Sequence, residues 1–386
     1  MDIIFLMGVY PNYGGVEKVS TILANEFVKR GHKVSIVSFE QPHPELAASE
    51  LDSSIQLYKL ERPVNSSENR KRLREIIRQF DAEILINQWS VPYYVTELCR
   101  QAMKGTRCKL ISVHHNLPNT NARIQAVEIE LETGRNILFN RIKLFAVRFF
   151  SRLSLRWSYM RSDAYVVLSP SFIPIAKKYM WIRGNKDKLI SIFNPITINV
   201  DYSRLSSKLK EIVYVGRIEY NQKRTFRLVE IWEQLQPLFP DWKLTIIGDG
   251  PDRKDLGKRI SRKGLKQISM EGFRNPSEYY ARAAILLLVS EYEGFGLVIT
   301  EGMTYGVVPV VLGSYSAVYD IIKNGVSGII TSYPYSETEF VAKVKKLMSD
   351  SNMRNTMSLN AKKAAVNFSL KEIADRWEEL FKRFQS

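Results

Sequence analysis

Seven residues separate the carboxylates Glu293 and Glu301 in the run EGFGLVITE. An apolar run at 284–289 comes before it and reads as a strand, and the stretch from Leu297 opens a helical pattern. The segment is therefore a strand, a glycine-rich turn and a helix start. Gly294 and Gly296, on either side of Phe295, let the backbone approach a ligand closely. The free N–H groups and positive dipole end of a helix starting at Leu297 suit a diphosphate. A carboxylate beside a diphosphate would repel it, so Glu293 and Glu301 fit as acceptors for hydroxyl groups, one on a sugar ring and one on a ribose. That chemistry describes a sugar attached to a nucleotide. Spacing alone is nearly worthless as a signal, because chance supplies several such pairs in any chain, and each residue by itself reads as a solvated carboxylate on a helix face.

Two cations stand at another strand end. Residues 212–215 run into Gly216-Arg217, and Lys223 follows the short loop IEYNQ. Cations there can neutralise the charge that develops on a departing diphosphate, although a solvated pair in a basic protein would read the same way. Gly248-Asp249-Gly250-Pro251 and Gly272-Phe273-Arg274 close the next two strands on the same side. Asp249 and Asp252 flank a Gly-Pro turn with no further carboxylate cluster, so no metal site is expected.

In the first half, the first strand leads through VYPNYGGVE to a helix, and Gly14-Gly15 opens a helix N-terminus accessible to phosphate. The spacing lacks the GxGxxG of a dinucleotide site. Two of only four histidines, His114 and His115, end the plausible strand KLISVHHN. Most strand-end histidines are packed or exposed, and alternation turns these two to opposite sides.

Elements of the required kind are legible around these residues. Apolar runs at 3–7, 34–38, 84–87, 109–114 and 164–168 read as strands, with a helix at 19–29 closed by Gly31. After Phe193-Asn194-Pro195 the polar stretch TINVDYSRLSSKLK reads as a linker. Strands at 211–215, 243–247, 268–270, 285–289 and 308–312 then alternate with helices near 226–235, 252–262 and 298–305. The fold class is α/β: two Rossmann-like parallel-sheet domains facing a cleft, with 1–196 the first and 208–365 the second. Ligands in such sheets bind beyond the carboxyl ends of the strands.

Composition agrees. A chain of 386 residues is long for one core, and 11% aromatic residues exclude disorder. Lys and Arg number 56 against 40 Asp and Glu, a formal +16, which points to polyanionic company without choosing among phosphates, nucleic acid and lipid. Two cysteines, Cys99 and Cys108, give neither a disulfide framework nor metal-ligand spacing, which fits a reducing cytoplasm. With no basic leader and no run of ~20 apolar residues, the chain is expected to be neither exported nor membrane-spanning.

The full string EGFGLVITEGMTYGVVPVV resembles the EX7E segment of the GT-B glycosyltransferases of family 4, retaining enzymes that include mannosyl-, glucosyl- and N-acetylglucosaminyltransferases. VGRIEYNQK is similar to the family's VGR(x)nK element. The resemblance implies that Arg217, Lys223 and the backbone of Gly294, Phe295, Gly296 and Leu297 hold the diphosphate, Glu293 the sugar and Glu301 the ribose. By its GDGP and GF elements, Gly250 borders the nucleotide and the backbone around Arg274 meets the base. By its GGxE loop, Gly14 and Gly15 close over the donor phosphates or the acceptor, and His115 lies near sugar and acceptor hydroxyls. It further implies a UDP- or GDP-linked sugar as donor, no cofactor, no metal, and no protein general base, a diphosphate oxygen receiving the acceptor proton. Arg224-Thr225-Phe226 departs from the family, which often has a Gly-containing run there.

Between residues 135 and 161, Phe139, Ile142, Phe145, Phe149, Leu153 and Trp157 fall in one helical sector, bordered by Arg141, Arg148, Arg152 and Arg156. This is the pattern of a helix in an anionic membrane surface, and equally of a core-packed helix with solvated arginines. The membrane reading makes the acceptor a lipid-linked glycan, as in surface polysaccharide or lipopolysaccharide synthesis, with the protein peripheral on the inner face of the cytoplasmic membrane. By resemblance, residues 368–386 form a helix that packs back on the first domain. The competing readings are a sugar-nucleotide epimerase or a phosphorylase on the same fold, the latter needing a pyridoxal-bearing Lys that is not identifiable, and a non-catalytic basic protein that binds membrane or nucleic acid. No nucleic-acid motif is present, and no nucleic acid is expected as a partner.

Overall fold

The computed structural model describes residues 1–132, 134, 136–184, 187–198 and 208–385. Arg135 and linker residues 199–207 lie outside them. The chain forms two compact units, Met1–Pro195 with Leu370–Ser386, and Ile196–Ser369.

In the first unit, β1 (Asp2–Val9), β2 (Lys33–Glu40), β3 (Gln56–Lys59), β4 (Ile84–Asn87), β5 (Lys109–His114), β6 (Ala164–Val167) and β7 (Leu189–Ser191) form a parallel sheet ordered β3-β2-β1-β4-β5-β6-β7. Ile3, Ile4, Phe5 and Leu6 of β1 are all fully buried, because helices cover both faces of a parallel sheet. Those helices include α1 (Gly15–Lys29), α2 (Pro44–Glu50), α3 (Ser67–Gln79), α4 (Tyr93–Ala102), α5 (Ala122–Glu132), α6 (Ile137–Arg161) and α7 (Phe172–Tyr179).

The second unit repeats the plan. Strands β8 (Glu211–Val215), β9 (Lys243–Ile247), β10 (Ile268–Gly272), β11 (Ile285–Leu288), β12 (Val308–Leu312) and β13 (Ile329–Thr331) are ordered β10-β9-β8-β11-β12-β13. They alternate with α8 (Phe226–Leu235), α9 (Arg253–Arg262), α10 (Ser277–Arg282), α11 (Leu297–Thr304), α12 (Ala317–Ile321), α13 (Glu337–Ser349) and α14 (Ser351–Ala365). The last helix, α15 (Leu370–Lys382), belongs to the first unit. Its Phe381 meets Phe27 of α1 at 5.4 Å, and Arg30 reaches Asp375 at 2.6 Å and Glu378 at 3.0 Å.

The fold class is thus two Rossmann-like parallel-sheet α/β domains. Strand order reverses between β1 and β4 in one sheet and between β8 and β11 in the other. At such a point the flanking connections leave in opposite directions and open a crevice at the carboxyl ends, where ligands bind. Three expectations need correction. Helix α1 starts at Gly15, not residue 19, because extended Gly14 caps it directly. Strands β3, β7 and β13 are additional, short and at or near sheet edges. Thr197, read as linker, hydrogen-bonds within the second unit.

Candidate functional site

The reversal between β8 and β11 explains why residues far apart in sequence meet in the second unit. Beyond β8 the chain passes Gly216 and Arg217 to Lys223; beyond β11 it passes Ser290 to Glu293. Lys223 Nζ lies 2.6 Å from Glu293 Oε1, with side-chain exposures of only 20% and 9%. Two further bonds stitch these loops together: Glu291 N–H donates to Gln222 O at 2.8 Å and Gln222 Nε2 to Tyr292 O at 3.2 Å. The site carbonyls and carboxylates are thereby fixed relative to the cation. Tyr214 and Tyr315 are held well above the ordinary tyrosine range, first by burial and then by nearby negative charge that includes Glu293. Both stay neutral beside it.

Gly296 adopts φ 90° and caps α11, a conformation that favours glycine, and an added Cβ would stand 2.6 Å from the Tyr315 hydroxyl. Phe295 is buried, with its ring 5.9 Å from Phe368, so of Gly294, Phe295, Gly296 and Leu297 the backbone is what an anion could use. One turn into α11, Glu301 is buried. Thr197 donates to its Oε1 and Tyr280 to its Oε2 at 3.3 Å. These two hydroxyls orient the carboxylate.

Arg217 is largely exposed, with one long contact to Glu219 at 3.4 Å, which leaves its guanidinium able to swing to an anion. The loop after Lys223 resolves the departure noted in the sequence. Arg224 takes φ 48°, the left-handed conformation that glycine adopts without cost, and its side chain contacts Glu291 at 3.5 Å. Glu291 is itself held by Arg227 at 2.8 Å and by the Tyr333 hydroxyl at 2.9 Å.

The outer loops have plainer explanations. A Cβ on Gly250 would stand 2.2 Å from Ile218 O and one on Gly248 2.0 Å from Gly216 O, so close loop packing alone requires both glycines. Asp252 accepts from Tyr220 N–H at 2.7 Å, and Asp249 pairs with Arg253 at 3.1 Å. Arg274 is exposed after β10. Among the described residues no group of three or more His, Cys, Asp or Glu is arranged to hold a metal ion.

In the first unit, His115 follows β5 and its Nε2 lies 2.6 Å from Gln88 Oε1, at the end of β4. Burial and the neighbouring His114 press its pKa down to about 3, and burial presses that of His114 to about 4, so both are neutral at pH 7. His114 is turned into the sheet packing, 6.4 Å from the Tyr165 ring. Gly14 and Gly15 form the start of α1, where Glu17 curls over Gly14; its Oε2 would be 2.0 Å from an added Cβ. Cys99 and Cys108 are buried free thiols.

Sequence reasoning missed Gln88, Thr197 and Tyr280. Gln88 had a signal, since it directly follows a readable strand; the other two had none.

Residues 13–196 match the model described as Glycosyltransferase Family 4, and residues 198–364 that described as Glycosyl transferases group 1. A Campylobacter jejuni protein, GalNAc-alpha-(1->4)-GalNAc-alpha-(1->3)-diNAcBac-PP-undecaprenol alpha-1,4-N-acetyl-D-galactosaminyltransferase, is 26% identical over 98% of each chain. Among solved structures, Anabaena HepE in complex with UDP and glucose aligns over 99% of both chains with TM-score 0.72 and 17% identity. A mutant of S. aureus TarM in complex with fondaparinux, alpha-GlcNAc-glycerol and UDP aligns over 99% of this chain and 100% of its own, with TM-score 0.73 and 13% identity. Two family models that together run from residue 13 to residue 364, on two sheets with the GT-B plan, place this chain among the family 4, group 1 glycosyltransferases.

Proposed function

We propose that this glycosyltransferase moves a hexosyl unit from a UDP- or GDP-linked sugar to an acceptor hydroxyl, with retention at the anomeric carbon. The observation that carries the reading is the Lys223–Glu293 pair at the β8/β11 reversal, beside the capped start of α11. An ammonium has three donors, so Lys223 can keep Glu293 and add a diphosphate oxygen. One cation then serves sugar-holding residue and leaving group together. The bond from the anomeric carbon to the diphosphate breaks, the acceptor oxygen takes its place, and the acceptor proton passes to a diphosphate oxygen. Arg217, Lys223 and the α11 amides stabilise the departing charge in place of a metal ion. Glu293 positions the sugar, and Glu301, fixed by Thr197 and Tyr280, the ribose. Gly14, Gly15, Gly250 and Arg274 keep their ligand-bordering roles in this reading, and His115 with Gln88 offers a neutral hydrogen-bonding pair for sugar or acceptor hydroxyls.

The acceptor in this proposal is a lipid-linked glycan in surface polysaccharide or lipopolysaccharide synthesis, supported by the undecaprenol in the Campylobacter jejuni relative's name and by α6. No helix among the described residues is long and apolar enough to cross a membrane. Yet α6 leaves Leu138 75% and Phe145 72% exposed, along with Phe139, Ile142 and Phe150. This exposure supports the reading of α6 as a helix lying on an anionic membrane surface at the cytoplasmic side over one packed in the core.

Thermal shift across UDP- and GDP-sugars, followed by NMR of the product anomer on a diphosphate-linked glycan lipid, tests the proposal. Stabilisation by one donor class, with the donor's anomeric configuration kept in a new glycoside formed even in EDTA, is expected. A sugar nucleotide returned with one ring carbon inverted would mean an epimerase, and no response to any donor would mean a non-catalytic protein.

A further inference from the structure

Beside α6, the turn that follows α7 holds an aromatic residue at the surface in a strained backbone conformation. Trp181 takes φ 52°, a left-handed conformation that costs an ordinary L-residue free energy, and its side chain is still 46% exposed. Two arginines of α6 maintain it there. Arg156 donates to both Met180 O and Trp181 O, each at 2.8 Å, and the Arg152 guanidinium lies 4.3 Å from the Trp181 ring and 5.0 Å from that of Tyr179. The edge of Phe149 meets the indole at 6.3 Å, which joins it to the exposed apolar face of α6. Two open pockets include Trp181 and Arg183 in their lining. One, of about 440 Å³, is lined by Arg156, Tyr159, Met160 and Arg183; the other, of about 510 Å³, by Lys177, Lys178 and Arg183.

We infer that this turn is a second membrane-docking element: Trp181 seats at the headgroup level, and the basic cavities beside it each take the phosphate of an anionic phospholipid. The inference rests on the proposed placement of α6 on a membrane and adds to it a site outside that helix. Charge selects the occupant. Residues 137–183 carry nine Lys and Arg against one carboxylate, Asp163, and although Lys143 and Arg148 pair with Glu130 and Glu128 of α5, a positive excess remains. A second copy would bring the same excess of positive charge onto this face. Nucleic acid would satisfy the cations but leave Leu138, Ile142 and Phe145 in water. An anionic bilayer meets both, and indoles favour its interface.

Vesicle cosedimentation tests this with the full chain and equal parts phosphatidylglycerol and phosphatidylcholine, against phosphatidylcholine alone. Wild type binds the anionic vesicles, and more weakly as salt rises. Trp181→Gly, which relieves the backbone conformation, and Arg183→Gln each lower vesicle affinity by roughly tenfold without lowering Tm. The vesicle-induced blue shift in emission, taken as wild type minus Trp181→Phe, reports the indole entering the interface. Vesicle binding of both variants at wild-type strength, while Phe145→Glu abolishes it, would overturn the second element and leave α6 docking alone. Undiminished binding by Phe145→Glu would instead remove the membrane reading itself. Two other results would overturn the inference: equal blue shifts with inorganic phosphate, which mean a free-anion site, or with duplex DNA.

Discussion

Lys223 and Glu293 are each largely out of water and 2.6 Å apart, so removing one strands the other. A stranded, mostly buried charge costs about 3 kcal/mol, more than the pair gains over a neutral replacement. Glu293→Gln is therefore expected to lower Tm, as is Lys223→Met, while the double variant recovers part of the loss in a denaturant cycle. Transfer should fall by about 10²–10³ in kcat for either single variant, because Lys223→Met removes a cation held against the departing charge and Glu293→Gln loosens the positioning of the sugar. Arg224 gives a prediction of opposite sign. At φ 48°, Arg224→Gly removes backbone strain and gives up side-chain contacts that include the 3.5 Å one to Glu291, and with the strain relief the larger effect, thermal denaturation should show it at least as stable as wild type. Arg224→Val, β-branched in the same conformation, should be less stable by about 1–2 kcal/mol. Glu293, Arg217 and Lys223 were readable because glycine turns at strand ends mark them. Thr197 and Tyr280 were not, because a hydroxyl becomes a carboxylate's partner only through tertiary placement, and nothing in a lone Thr or Tyr announces it.

At the level of elements, legibility followed burial. Strands such as β1 and β12, covered on both faces, read as unbroken apolar runs, whereas β3 is QLYK with only partial burial and merges into its polar surroundings. Helix α3, SENRKRLREIIRQ, buries little beyond Leu73, Ile76 and Ile77 and so showed a weak pattern. On α6 the periodicity was plain, but whether its apolar face is covered was not; only the structure shows that face exposed. The end of β5 yields a pH prediction. His114 and His115 have folded pKa values near 4 and 3, below the ordinary 6.5, so the unfolded chain binds protons that the folded chain refuses. Stability is whole above about pH 6.5 and drains as pH falls toward 4 and 3, by at most about 1.4 kcal/mol per pH unit for each histidine. Urea midpoints measured from neutral pH down to about pH 5 should fall steadily, and His114→Phe should make that decline shallower.

For the whole molecule, the decisive connection is α15, which joins the last residues of the chain to the first. Ile373, Trp377, Leu380 and Phe381 are buried in the first unit, and at about 1.5–3 kcal/mol for each large side chain their burial is on the order of 10 kcal/mol. That is an upper figure, because an unfolded chain already hides some apolar surface. It still rivals the whole stability of a typical domain, about 5–15 kcal/mol, before the ion pairs of Arg30 with Asp375 and Glu378 are considered. A chain ending at Ser369 should therefore retain a folded second unit and lose the first. Calorimetry should show a single smaller transition, and donor nucleotide should still shift its midpoint. A peptide of residues 370–385 added in trans should restore the missing transition, since α15 packs through side chains and needs no covalent link for those contacts. Two intact transitions in the truncated chain, with Tm unchanged, would mean that the first seven strands and their helices hold without it.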